Sequence, residues 1–289
     1  MIKLTRRRVA TGFPSNLHGK GRIALKLKLI EEERRIQKDP ALRHEFDSDV
    51  WPRAKKMLKE EASNKCAYCE APTATVAHGD VEHYRPKSHY WWLVYCVDNY
   101  FFSCQICNQT FKLDEFPIHG KRMQIDPPFP NPFPETMSKA DLAALAARLA
   151  PDPLDDAAGL PIALFQKAAL KEKAGIVDPY RTDPEPLFKW EADDVNGEVW
   201  IRARSKKVES KRAHAAAETF LGLNREELRR QRYETYTFAR VMSLSLDSVT
   251  DAALKANIRA LLIKMLAPSS PFAGMVRYFV RDVWKTGLD

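Results

Sequence analysis

Two C-x-x-C pairs, Cys66-Ala-Tyr-Cys69 and Cys104-Gln-Ile-Cys107, bracket an acid–histidine pair, Glu82-His83, near the start of this chain. Each pair offers two thiolates on one tight turn. Two such knuckles complete a tetrahedral site for Zn²⁺. Four protein ligands leave the ion no open position, so such a zinc holds structure and performs no chemistry. Zinc ribbons usually separate their knuckles by about 15–20 residues. Here residues 70–103 intervene, which is room for a hairpin with a second function. A structural metal offsets the entropy of ordering so long a loop. The alternative is four unrelated buried cysteines. Cys96 has no C-x-x-C partner and sits in an aromatic run, so it reads as a core residue.

The chain has 289 residues, of which 45% are hydrophobic and 29% charged. That composition suits a globular protein of one large domain or two modest ones. No stretch approaches the roughly 18 apolar residues of a membrane span. The first residues, Met1 to Arg8, are basic but lack an apolar run and a small-residue cleavage site, so no secretory signal is expected. Five cysteines, four in metal spacing, fit a reducing cytoplasm better than a disulfide scaffold. A net charge of +8 favours polyanionic partners, nucleic acid foremost.

Strong helix formers predict a helix over 21–38 and a second helical region over 41–62, interrupted near Pro52. Thr73, Thr75, Val76 and Val81 suggest a short hairpin within 64–90. Residues 104–116 read as a short helix stopped by Pro117. The proline-rich stretch 126–134 is an extended connector. Helices are expected over 139–149 and 162–174, and paired strands on either side of Asn196-Gly197. From 206 onward the pattern is helical: 206–221, 225–243, 248–266 and 271–285, with Asn224 and Ser270 as N-caps. The expected organisation is α+β, mostly α. It comprises a basic arm and helices over 1–60, a zinc-stapled core over 61–120, and a connector, insertion and helical region over 121–289.

Phosphodiester hydrolysis needs a nucleophilic water, a base for its proton and a cation for phosphoryl charge. His83 titrates near neutral pH and can be the base. Glu82 and Asn108 offer hard oxygens for Mg²⁺. Neighbouring strand residues point to opposite faces, so Glu82 and His83 share a site only at a bend or strand end. Pro86 fits a strand ending there.

Cys66-x-x-Cys69, Glu82-His83-x-x-Pro86, Asp98-Asn99 and Cys104-x-x-Cys107-Asn108-x-x-x-Lys112 together resemble the HNH, or ββα-metal, endonuclease family. The resemblance implies that Glu82 and Asn108 bind the catalytic metal, Mg²⁺ or Mn²⁺. It implies that His83 activates water, Asn99 braces the loop around the base, and the four cysteines hold a structural zinc. Asn108 stands where the family name has His, and Glu82 replaces a more usual Asp. A narrower similarity joins Glu82-His-Tyr-Arg-Pro-Lys87, Tyr90-Trp-Trp-Leu93, Ser103-Cys-Gln-Ile-Cys-Asn108 and Leu221-Gly-Leu-Asn-Arg225 to the PtuB-like HNH component of Septu antiphage systems, with relatives among retron effectors. That similarity implies defence and an ABC/SMC-type (PtuA-like) ATPase partner. DNA is the default substrate, with RNA, tRNA included, as the other.

Lys112 lies one helical turn beyond Asn108, so both can face one phosphate. Arg85 and Lys87 are candidates for backbone contact. Trp91 and Trp92 read as core rather than stacking platforms. Arg6-Arg7-Arg8 reads as a solvated or phosphate-touching tail, and the Arg-rich stretch 225–240 as an exposed face or partner surface. The rival to a nuclease is a non-catalytic zinc-finger module that binds nucleic acid or protein. Such a module has no use for Glu82, His83, Asn99 and Asn108 together.

Overall fold

A computed structural model describes residues 1–73 and 78–288 of the chain. The protein is α+β and mostly helical, with two small antiparallel strand pairs. Helix α1 (Gly19–Lys38) buries Leu25, Leu29 and Ile30 on one side. Its Arg22 donates to Asp152 and to the Ala150 carbonyl, which brings α1 against the helix that ends at Arg148. Residues 41–50 are not helical. Pro52 opens a tight turn, Trp51–Ala54, that leads into α2 (Lys55–Glu61). Proline therefore starts this helix rather than interrupting it, since its missing N–H costs nothing in a first turn.

Strand β1 (Asp80–His83) pairs with β2 (Tyr100–Ser103) in the register Asp80↔Ser103, Glu82↔Phe101 and His83↔Tyr100. The hairpin expected within 64–90 is thus built differently. Val81 falls in β1, but its partner Phe102 comes from the aromatic run. Thr75 and Val76 lie outside the described residues. A wide helical segment, Ile106–Lys112, follows β2 and ends at Leu113, whose φ is +47°. The expected helix over 104–116 is correspondingly shorter.

Helices α3 (Lys139–Arg148) and α4 (Ile162–Lys171) follow the proline-rich connector. Strands β3 (Phe188–Asp193) and β4 (Glu198–Ala203) pair across Asn196-Gly197, where Gly197 takes a φ of +66°. The chain closes with α5 (Val208–Thr219), α6 (Glu226–Ser248), α7 (Ala252–Leu266) and α8 (Ala273–Arg277), which runs on as a wider turn to Val283. The two expected N-caps fail. The Asn224 side chain spans the backbone of Ile201 in β4. Ser270 instead bonds back to Lys264. The side chains that do cap are Ser138 and Asp251, each taking an N–H three residues on.

Buried apolar residues from 1–60, 61–120 and 121–289 join in one cluster that runs from Met1 to Leu288. It includes Cys96 and Trp92, while Trp91 packs on its edge. Among the described residues no helix is long and apolar enough to cross a membrane.

Candidate active site and metal centre

The first knuckle closes on itself: Cys66 N–H donates to Ala71 O, and Glu70 N–H to Cys66 O. Ala67 N–H then donates to Phe102 O and fastens the knuckle to β2. The second knuckle opens the segment after β2, with Asn108 N–H donating to Cys104 O. These turns bring all four sulfurs within 4.8 Å of one another, and Cys69 and Cys104 lie 3.9 Å apart. A Zn²⁺ with four bonds of about 2.3 Å sets its sulfurs about 3.8 Å apart. The donor set and spacing therefore fit a tetrathiolate zinc.

Glu82 and His83 occupy the last two positions of β1, and both line an open cleft of about 600 Å³. Asn108, Asp80, Lys87 and Trp51 line it too. The strand stops at His83 because Asn99 intercepts the next turn. Its Oδ1 accepts from Arg85 N–H at 2.8 Å, and its Nδ2 donates to Arg85 O at 3.0 Å.

The His83 ring is edge-on to Trp51 and Tyr100, with centroids 5.1 and 5.0 Å away. Its Nε2 lies 3.0 Å from Val94 O. A carbonyl can only accept, so Nε2 carries the proton and Nδ1 is the free base. Burial pushes the ring's pKa down to about 3. The Val94 bond opposes that shift, and the Lys87 and Lys112 charges add to it. The imidazole is neutral at neutral pH.

The carboxylates divide differently from expectation. Glu82 is buried, with Oε1 2.6 Å from Lys112 Nζ. Burial holds its carboxyl above the usual range, and Lys112 pulls it back. The carboxylate beside Asn108 is that of Asp80, whose Oδ2 accepts from Asn108 Nδ2 at 3.2 Å and from Gln109 Nε2 at 2.9 Å. Asp80 has a signal in the sequence: it stands two before Glu82, hence on the same face of a strand. Asp80, Glu82 and Asn108 thus bring two carboxylates and one amide to the same cleft, oxygen donors of the type that Mg²⁺ or Mn²⁺ takes.

Two of the three expected phosphate contacts lie inside the protein. Arg85 is 2% exposed and paired with Glu172, which also accepts from Tyr90 Oη and Met123 N–H. Lys112 is fully buried between Glu82 and His83 O. A salt-bridged buried cation has no face to offer a nucleic-acid backbone. Lys87 does stay at the cleft, 4.7 Å above the Trp51 ring. The Arg6-Arg7-Arg8 tail is not loose either. Arg6 reaches Glu61 and Tyr100 O, and Arg8 reaches Asp98.

One curated relative shares part of this chain. It is similar to Septu protein PtuB. That protein, from Bacillus mycoides (strain KBAB4), is 32% identical over 80 residues, which cover 23% of this chain and 27% of the relative. The relationship is PtuB-like and partial, spanning about a quarter of the relative's length. No protein-family model matches the chain, and no solved structure matches it.

Proposed function

We propose that this protein is a metal-dependent endonuclease of the HNH type that hydrolyses nucleic-acid phosphodiesters in antiphage defence, together with a PtuA-like ATPase. The observation that carries this reading is a neutral imidazole, with its Nε2 tied to Val94 O, in the same open cleft as Glu82, Asp80 and Asn108. The order strand, strand, helix around the cysteine cluster supports a ββα-metal core. The PtuB-like stretch supports the setting in Septu-type defence.

Glu82, Asp80 and Asn108 would hold Mg²⁺. When bound, the ion supplies positive charge for the phosphoryl oxygens and the leaving oxygen. His83 Nδ1 takes the proton of the attacking water as its oxygen bonds to phosphorus in line with the departing 3′ oxygen. The departing oxygen gains a proton from solvent, leaving a 5′-phosphate and a 3′-hydroxyl. Val94 O fixes the tautomer of the base, and Asn99 holds the loop behind it. Lys87 meets the backbone at the cleft mouth. Arg85 and Lys112 brace the site from within.

The test is His83→Ala, assayed with the co-expressed ATPase on plasmid DNA and on bulk tRNA with Mg²⁺. Cleavage should vanish while zinc content and circular dichroism stay as in the unaltered protein. Full cutting by that variant removes His83 as the base. Nucleic-acid binding without cleavage under any condition favours the zinc-finger binding module instead.

A further inference from the structure

The turn 221–225 leads into α6 and lies against the second knuckle. Gly222 sits at φ +56°, and a Cβ there would fall 2.3–2.5 Å from Phe111 ring carbons. Only glycine lets this backbone meet the Phe111 ring so closely. From this turn Arg225 reaches back, and its Nη1 lies 3.8 Å from Cys107 Sγ. Two helical turns on, Arg232 is 3% exposed and donates Nη1 to Leu223 O at 2.6 Å. The expectation of an exposed arginine face over 225–240 fails at these two positions.

Their neighbours on the same helix have ordinary partners. Arg229 pairs with Glu198 at 3.0 Å, and Arg230 with Glu226 at 2.7 Å. Among the described residues, neither Arg225 nor Arg232 has a carboxylate oxygen within 4.0 Å. A buried guanidinium without a counter-ion is costly enough that folds avoid it. The nearby anion is the cysteine cluster. Four thiolates on one Zn²⁺ leave a net charge of −2, which the Arg225 guanidinium, with its Nη1 at Cys107 Sγ, offsets in part.

We propose that Arg225 is a counter-ion of the zinc tetrathiolate, so that zinc occupancy holds the turn before α6 against the second knuckle. It is a positioning residue: it acts on the ion through its sulfur ligands. The zinc is then a joint between the knuckles and the C-terminal helices, not only a staple within the knuckles. This inference does not depend on the nuclease reading, and its readouts involve no cleavage.

The test uses the full-length, zinc-loaded chain and the variants Arg225→Gln, Arg225→Lys and Arg229→Gln. Zinc transfer to a chromophoric chelator is timed, and hydrogen exchange is followed over 221–232. Loss of an outer partner typically weakens metal binding by about 10- to 100-fold. Arg225→Gln should release zinc faster by a factor in that range, with raised exchange over 221–232. Arg225→Lys keeps the charge and should stay near the unaltered rate, as should Arg229→Gln. Equal release rates in Arg225→Gln and the unaltered chain would overturn the proposal. So would equal effects of Arg225→Gln and Arg229→Gln, or purified protein without zinc.

Discussion

Replacing Lys112 by methionine removes the ammonium that pairs with the buried carboxylate of Glu82, and the structure allows the cost to be worked out. The two charges are 2.6 Å apart, with Lys112 fully buried and Glu82 3% exposed. Methionine is unbranched like lysine and one heavy atom shorter, so it fills most of the same space. Glu82 then has one escape, which is to take up a proton. From its ordinary pKa of 4.5, protonation at pH 7 costs about 3.4 kcal/mol, at 1.36 kcal/mol per unit. The lost bond from Lys112 Nζ to His83 O adds about 1 kcal/mol. Because burial already raises the Glu82 pKa in the unaltered protein, part of that sum is present from the start. The expected loss is about 3 kcal/mol, near the low end of what breaking a buried pair costs.

The sign with pH follows from the same carboxyl. A group whose folded pKa lies above its unfolded value binds more protons when folded. Stability is therefore retained below pH 4.5 and lost as pH rises toward the folded value. The Lys112→Met penalty should shrink as pH falls from 7 to 6, by at most about 1.4 kcal/mol. Urea unfolding at both pH values reads this directly. Adding Lys112→Met to Glu82→Gln should cost far less than adding it to the unaltered chain. A loss below about 1 kcal/mol at pH 7, or one that does not change with pH, would refute the argument that Glu82 is buried and dependent on Lys112.

Other outcomes follow from the same geometry. Asp80→Asn should weaken Mg²⁺ binding about tenfold or more, measured by calorimetry, while zinc content stays constant, because Asp80 touches Asn108 and not the cysteines. His83 has a folded pKa of about 3 against an ordinary 6.5, so its share of stability is lost as pH falls below 6.5. In His83→Gln the slope of unfolding free energy between pH 5.5 and 6.5 should flatten by up to about 1.4 kcal/mol per unit, seen in urea titrations. Removing zinc with a strong chelator should abolish the near-ultraviolet signal of the β1–β2 region, since strands this short are marginal alone.

The parts legible in the sequence were those set by local rules. The C-x-x-C spacing predicted the sulfur cluster, helix formers predicted α1, and Asn196-Gly197 predicted the β3–β4 turn. Long-range partners were not legible. Arg85 looks like a phosphate ligand until Glu172, 87 positions away, is seen to claim it. Arg225 looks solvent-facing because nothing local reports that the turn before α6 meets the second knuckle. Asn224 has the residue type of an N-cap, but Ile201 of β4 competes for its amide and wins. Asp80 was the one site residue within reach, through its two-residue spacing from Glu82.

These long-range partners converge on one side chain. The pair β1–β2 has only four residues per strand, too few to place an imidazole within the fraction of an ångström that proton transfer needs. His83 is instead fixed from separate segments. Val94 takes its Nε2 proton, Lys112 holds its carbonyl, and Trp51 and Tyr100 flank its ring. Asn99 and Glu172 grip the next residues from the backbone and side-chain sides. Each partner is itself anchored, Lys112 by Glu82 and Glu172 by Tyr90 and Met123. Buried ion pairs contribute little net stability. Here they lie just behind the ring, where they limit which way the loop can turn. On the nuclease reading, their value is a base held ready before substrate arrives, and the zinc knuckles supply the frame in which such a small sheet can hold it.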